Sequence, residues 1–163
     1  MIFVITGTQN FQFNRLINYV ERICVDKNVL YGHEDFFIQY GSSLKPSEDI
    51  VGKDFMKSDE MRKMIENADV IICHAGTASI VESLILHKKV IVVPRKKEFK
   101  EHVDNHQYEI TNQFFKEGFI EVAETYEELV EKLTNYESNS VKVYEKFSSI
   151  KELSDDIINY IKL

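Results

Sequence analysis

The sequence predicts an α/β fold: a doubly wound, parallel, Rossmann-like sheet of six strands, followed by a C-terminal helix. Short runs of β-branched and aromatic residues alternate with longer segments whose apolar residues recur at the helical period. The connections are short, and several strand-to-helix turns contain glycine. Strands that alternate with helices in this way form parallel sheets with helices on both faces.

Six apolar runs predict the strands. Most are rich in valine, isoleucine and phenylalanine, the residues that favour extended backbone. The fifth is a continuous β-branched run that we expect to be buried on both faces. The predicted strands are residues 2–6, 36–41, 50–55, 69–73, 90–93 and 119–122.

Helical periodicity predicts the segments between these strands. The first helix covers residues 11–27, and the second covers residues 57–67 with Ser58 as its cap. A third helix follows the turn at Gly76. A fourth covers residues 103–116, and Gly118 is placed to end it.

The C-terminal part predicts two further helices. Thr125-Tyr126-Glu127-Glu128 has the pattern of a capping box at the start of the fifth helix. A last helix has an isoleucine-rich stripe at Ile150, Ile157, Ile158 and Ile161. This stripe predicts packing on the helix's own domain, and docking to a partner chain is the alternative.

Size and composition predict one domain over residues 1–163. A hydrophobic content of 44% is ordinary for a globular protein with a real core. The formal net charge of −7 disfavours nucleic acid as a partner, because phosphate backbones need a basic surface. No run reaches the length of a membrane span, and residues 1–5 predict a strand rather than a signal peptide. Cys24 and Cys73 lie in apolar segments without CxxC spacing, which predicts free thiols.

The segment covering residues 68–89 is the strongest indication of a site. A buried strand ends at Cys73, the chain turns at His74-Ala75-Gly76-Thr77, and a helix follows. The N-terminus of such a helix offers free N–H groups and partial positive charge to an anion. Ser79, Glu82 and Ser83 share one helix face. A nucleoside diphosphate with its ribose fits this arrangement, and a capped helix with a solvated glutamate is the alternative.

Two more polar turns follow strands of the same sheet. Gly7-Thr8-Gln9 follows the first strand, and the segment from His102 to Gln107 follows the fifth. Ligands of doubly wound sheets bind at the carboxyl ends of the strands, where strand order reverses. We expect the Gly7 and Gly76 turns to converge there. An ordinary Asp/Asn helix cap is the alternative for the third turn.

Taken together, the three turns resemble one family of enzymes. The pattern is similar to the C-terminal, donor-binding half of GT-B glycosyltransferases of family 28, the peptidoglycan lipid II type. Among these it most resembles the stand-alone catalytic subunits of two-chain transferases: bacterial capsule or exopolysaccharide pairs, and the eukaryotic pair that extends dolichol-linked GlcNAc. The motifs that carry the resemblance are Gly7-Thr8-Gln9, His74-Ala75-Gly76-Thr77 with Glu82, and Val93-Pro94 leading to Asp104-Asn105-His106-Gln107.

The resemblance implies a role for each matching residue. His74 would be catalytic, contacting the diphosphate or stabilising the leaving group, and a core histidine is the alternative. Glu82 would bind the ribose hydroxyls. The diphosphate and the donor sugar would be held by Gly7, Thr8, Gln9, Ala75, Gly76, Thr77, Asn105 and Gln107. No metal or other cofactor is expected, since Cys73-His74 lacks further ligands and no Asp-x-Asp occurs.

The resemblance also implies what the protein does and where. An inverting transferase subunit would move GlcNAc, galactose or a similar hexose from a UDP-sugar to a polyprenyl-diphosphate-linked saccharide. A membrane-anchored partner chain would supply the acceptor side and the general base. The subunit alone would be inactive or weak, and it would lie in the cytoplasm at the inner face of the membrane. One alternative is a non-catalytic UDP-sugar-binding regulator. Another is a hydrolase or epimerase that acts without a partner.

Overall fold

A computed structural model describes residues 1–103 and 107–135 of the chain. In this part, six strands form one sheet. The strands are β1 (Ile2–Ile5), β2 (Phe36–Gln39), β3 (Val51–Lys53), β4 (Val70–Cys73), β5 (Lys89–Val92) and β6 (Glu121–Val122). The helices are α1 (Asn14–Val25), α2 (Ser58–Asn67), α3 (Thr77–Ile85), α4 (Gln107–Lys116) and α5 (Tyr126–Thr134).

The sheet has the order β3-β2-β1-β4-β5-β6, and every neighbouring pair is parallel. The predicted doubly wound α/β sheet is therefore confirmed. The chain first runs outward from β1 to β3 and then returns to place β4 on the other side of β1. This reversal leaves the carboxyl ends of β1 and β4 side by side, with Ile5 opposite Cys73.

Alternating strand residues divide the core into two layers. Ile2 and Val4 of β1 pack toward α1 and α5, whereas Phe3 and Ile5 pack toward α2, α3 and α4. Both faces of β5 are covered as well, since Val90, Ile91 and Val92 are all buried. Burial on both faces explains why the central strands are continuous apolar runs rather than alternating ones.

The starts of three helices differ from the sequence predictions. α1 begins at Asn14 rather than at Phe11, because the preceding residues form the loop after β1. Lys57 takes the N-cap position of α2 without a side-chain hydrogen bond, so the prediction that Ser58 caps this helix was wrong. α4 begins at Gln107 rather than at residue 103.

Two predicted end signals are confirmed. Gly118 has φ +73° and follows the end of α4, where the Phe119 N–H donates to the Phe114 carbonyl. The Thr125 hydroxyl accepts a hydrogen bond from the Glu128 N–H at 3.2 Å and caps α5. The reciprocal bond of this box is shifted by one residue, because the Glu128 carboxylate accepts from the Glu124 N–H. The predicted last helix lies outside the described residues.

Candidate functional site

The loops after β1 and β4 meet at the point where strand order reverses. The imidazole ring of His74 lies between Gly7 and Gly76. A Cβ atom built on Gly7 would stand 2.7 Å from His74 Cε1, and one built on Gly76 would collide with His74 Nε2. The expected convergence of the Gly7 and Gly76 turns is therefore present, and it depends on the lack of a side chain at both glycines.

Gly7 is held by the neighbouring strand. Its φ of +94° lies in the left-handed region that favours glycine. Its N–H donates to Gln39 Oε1 and its carbonyl accepts from Gln39 Nε2, both at 3.1 Å. The Gly7 N–H thus donates within the protein in this structure. Its predicted contact with a diphosphate stays a prediction. Thr8 and Gln9 follow it and are exposed.

The N-terminus of α3 presents unpaired donors to the same space. Gly76 occupies the N-cap position and supplies no side-chain hydrogen bond. The first bond of the helix runs from the Ile80 N–H to the Gly76 carbonyl at 3.2 Å. Within the described residues, the N–H groups of Thr77, Ala78 and Ser79 have no acceptor. Together with the helix dipole, they form a local positive end that suits an anion.

His74 is held as a neutral base. Its backbone N–H donates to the Ile5 carbonyl at 3.1 Å, and its Nδ1 lies 3.4 Å from the same oxygen. Because a carbonyl oxygen only accepts hydrogen bonds, this contact favours the tautomer with the proton on Nδ1. Burial, followed by the charge of Arg95, lowers the pKa of His74 to about 4. Nε2 then points an unprotonated lone pair toward the start of α3.

Glu82 lies about a turn and a half into α3 and is half-buried. Its neighbour Ser83 is fully buried, and the Ser83 hydroxyl donates to the Ser79 carbonyl at 2.6 Å. Ser83 is therefore satisfied inside the helix. No hydrogen bond or ion pair of the Glu82 carboxylate occurs within the described part of the chain, which leaves that group able to accept from a ligand.

The loop after β5 supplies a residue that the sequence analysis did not select. Arg95-Lys96-Lys97 and Lys100 form a basic cluster of the kind that is usually solvated, but Arg95 is only 2% exposed. Its guanidinium donates to the carbonyls of Thr6 at 2.6 Å, of Phe11 at 2.9 Å and of Glu101 at 2.8 Å. Arg95 thus joins the first and third loops of the site. In the sequence, the signal for the burial of Arg95 was its position directly after a buried strand and Pro94.

The start of the third loop lies beside the first. The rings of His102 and Phe11 are 5.9 Å apart, which places the end of the charged loop against the loop that follows β1. Asn105 lies outside the described residues, so its predicted contact with the donor stays a prediction. Gln107 is the first residue of α4.

Comparison with known proteins decides the family. A family model for the Glycosyltransferase family 28 C-terminal domain matches residues 1–160 of this chain. The chain belongs to this family. The candidate site lies at the reversal of strand order, which is where doubly wound sheets in general bind their ligands.

Other relatives of this family 28 chain are known by sequence and by structure. It is 38% identical over 99 residues to the UDP-N-acetylglucosamine transferase subunit ALG13 of Candida albicans. That match covers 61% of this chain and 32% of the relative, so the matched segment spans about a third of the relative's length. The NMR solution structure of ALG13 is 22% identical with a TM-score of 0.56, covering 85% of this chain and 86% of that one. The crystal structure of Acinetobacter baumannii MurG is 18% identical with a TM-score of 0.60, covering 93% and 44%. At these identities the two structures show the shared fold.

Proposed function

We propose that this chain is the donor-binding catalytic subunit of a two-chain glycosyltransferase. It transfers GlcNAc, galactose or a similar hexose from a UDP-sugar to a polyprenyl-diphosphate-linked saccharide. Family membership and the name of the Candida albicans relative, a UDP-N-acetylglucosamine transferase subunit, support this function. The relative's name makes UDP-GlcNAc the first donor to test.

One observation carries the proposal. The uncapped N-terminus of α3 lies against His74 and Gly7 at the reversal of strand order, and Glu82 follows on the same helix. The helix N–H groups and those of Thr8 and Gln9 bind the diphosphate, with Ala75 and Gly76 lining the turn. The Glu82 carboxylate accepts hydrogen bonds from the ribose hydroxyls. Asn105 and Gln107 contact the donor sugar.

The transfer requires charge stabilisation rather than covalent participation by the protein. The acceptor hydroxyl oxygen forms a bond to the anomeric carbon from the face opposite UDP, which inverts the configuration. The bond between that carbon and the β-phosphate oxygen breaks, and its electron pair leaves with UDP. The hydroxyl proton passes to a general base on the partner chain. Backbone N–H groups already aimed at the diphosphate stabilise the charge that develops there.

His74 assists the departure of UDP. In the free protein its pKa of about 4 keeps the ring neutral, and Nδ1 faces the Ile5 carbonyl. The negative charge of a bound diphosphate favours the protonated imidazole and raises this pKa. A protonated ring donates to Ile5 through Nδ1 and to the leaving diphosphate through Nε2. His74 therefore takes up a proton as the donor binds.

The acceptor side belongs to a second chain in this proposal. No helix within residues 1–103 and 107–135 has the length and apolar character needed to cross a bilayer. The partner is membrane-anchored, binds the lipid-linked saccharide and holds this subunit at the inner face of the membrane. Capsule, exopolysaccharide or glycolipid synthesis is the setting that suits such an acceptor.

Calorimetric titration of the isolated chain tests donor binding. UDP, UMP, UDP-GlcNAc, UDP-galactose and UDP-glucuronate are compared at one salt concentration. We expect UDP to bind at least about tenfold more tightly than UMP, because the second phosphate meets both the helix N-terminus and the N–H groups of Thr8 and Gln9. Glu82→Gln weakens UDP about tenfold by removing a charged acceptor. Glu66→Gln is the matched control, since Glu66 pairs with Arg62 on the surface of α2.

Co-expression with the candidate partner chain from the same organism tests transfer. Membranes carrying the lipid-linked saccharide should gain labelled sugar only when both chains are present. Donor binding without transfer by the pair would support the regulatory module instead. Sugar release from UDP by the isolated chain would support the hydrolase. An unchanged UDP affinity in Glu82→Gln would contradict the assignment of the ribose contact to Glu82.

A further inference from the structure

Arg95 is the most deeply buried cation that the structure describes near the site. Its guanidinium lies 4.9 Å from the centre of the Phe13 ring and is only 2% exposed. Burial lowers the pKa of this guanidinium to about 10, so it keeps its charge at neutral pH. A buried charge is costly unless strong hydrogen bonds compensate for the lost water. The compensation here comes from backbone carbonyls.

Two of those carbonyls bracket the loop after β1. The Thr6 carbonyl lies at its start and the Phe11 carbonyl at its end, and the two accept from different nitrogens of the one planar fork. The distance between Thr6 and Phe11 is thereby fixed. The intervening residues include Thr8 and Gln9, to which we assign diphosphate contacts.

A second arginine contacts the loop that contains Arg95. Arg15 of α1 makes two hydrogen bonds to the Glu101 carboxylate, at 3.0 and 2.9 Å, and one to the Pro94 carbonyl at 2.7 Å. The Glu101 carbonyl in turn accepts from Arg95. Arg15 therefore supports the loop after β5, but it makes no hydrogen bond to residues 6–11.

We propose that Arg95 is a positioning residue that holds the loop after β1 in the conformation in which its N–H groups meet the donor diphosphate. This inference rests on the proposed function, because it assigns the ligand of that loop. It concerns the diphosphate contacts assigned to Thr8 and Gln9, because the ribose contact is assigned to Glu82 of α3. Lysine cannot replace Arg95, because an ammonium lacks the planar fork that spans two carbonyls.

The test compares Arg95→Lys with Arg15→Lys in the full chain. Arg95→Lys should weaken UDP about tenfold and change UMP by less than about twofold, so the ratio of the two affinities collapses. Arg15→Lys should keep that ratio, although it too loses side-chain hydrogen bonds of a guanidinium. Amide hydrogen exchange of Gly7 and Phe13, bonded to Gln39 and Ser43, should become faster only in Arg95→Lys.

The outcomes separate this inference from the proposed function. If the wild-type chain binds neither UDP nor UMP, the proposed function fails and this inference fails with it. If the wild type prefers UDP and Arg95→Lys keeps the same ratio of UDP to UMP affinity, only the role of Arg95 is overturned. Equal losses for both nucleotides would show general loosening of the fold and would also overturn it.

Discussion

The imidazole ring of His74 occupies the space beside Gly7 that any side chain at that position would need. The nearest ring atom, Cε1, would lie 2.7 Å from an added Cβ. The ring cannot withdraw easily, because Gly76 bounds it on the other side and the His74 N–H is bonded to Ile5. This contact locks two loops of the sheet edge together, and its consequences can be measured.

Gly7→Ala should be one of the most destabilising single-methyl changes in the chain. The left-handed backbone costs roughly 1–2 kcal/mol for an L-residue, and crowding against His74 adds a similar amount, so we expect a loss of about 3 kcal/mol. Gly118→Ala is the control for the backbone cost, because Gly118 also has positive φ and follows the end of α4. It should cost only the backbone part. Urea unfolding measures both, and equal losses would contradict the crowding.

A proline at position 77 should show how much the first N–H group of α3 contributes to UDP binding. Thr77 is the first residue of α3, and Gly76 before it has ψ 117°, the extended conformation that a following proline requires. Thr77→Pro removes one N–H donor at a position where helices accept proline. We expect about tenfold weaker UDP binding with unchanged helix content by circular dichroism.

Thr77→Val is the matched control for that prediction. It removes the hydroxyl, as proline does, but keeps the backbone N–H. Its UDP affinity should stay within about twofold of the wild type. If both variants lose the same affinity, the hydroxyl rather than the N–H is the group that matters, and the assignment of the helix N-terminus is wrong.

His74 should make the protein less stable as the pH falls below neutrality. The ring has a pKa of about 4 in the folded chain, below its ordinary value of 6.5, mainly because it is buried. Between these values the unfolded chain binds a proton that the folded chain excludes, so the free energy of unfolding decreases as pH falls. The loss reaches at most about 3 kcal/mol near pH 4.

Urea titrations at pH 7.5, 6.5 and 5.5 test this dependence. His74→Asn should flatten the part of the slope that comes from His74, because asparagine does not titrate. His33→Asn serves as the control, since His33 precedes β2 and so lies at the amino ends of the strands, whereas His74 lies at their carboxyl ends. An identical pH dependence in wild type and His74→Asn would show that the ring is not held neutral.

Glu101→Gln should show how much the ion pair with Arg15 stabilises the site. The two side chains are 4% and 14% exposed, so removal of one charge leaves the other buried without its partner. We expect a loss of about 3 kcal/mol in the free energy of unfolding. Glu60→Gln breaks the Lys53 pair, whose side chains are 42% and 45% exposed. That control should leave the free energy of unfolding nearly unchanged, because water screens an exposed ion pair, and a loss like that of Glu101→Gln would contradict the role of burial.

Local patterns were sufficient to predict the fold and part of the site. The strand runs, the helical periods before residue 136, the Thr125 cap and the Gly118 end all depend on neighbouring residues, and each appears in the described part of the chain. The prediction that the Gly7 and Gly76 turns meet also followed, because parallel strands present their carboxyl ends at one edge.

Tertiary structure decided which donors remain for a ligand. The sequence could not show that Gln39, some thirty residues away, uses the Gly7 N–H, or that Arg95 turns inward to hold the carbonyls of Thr6 and Phe11. It also misassigned the cap of α2, because Lys57 holds that position and Ser58 is already helical. Hydrogen bonds between distant segments depend on which strands become neighbours. The sequence by itself therefore determined the sheet and the edge that carries the candidate site, and packing between the loops determined which groups remain free for the proposed ligand.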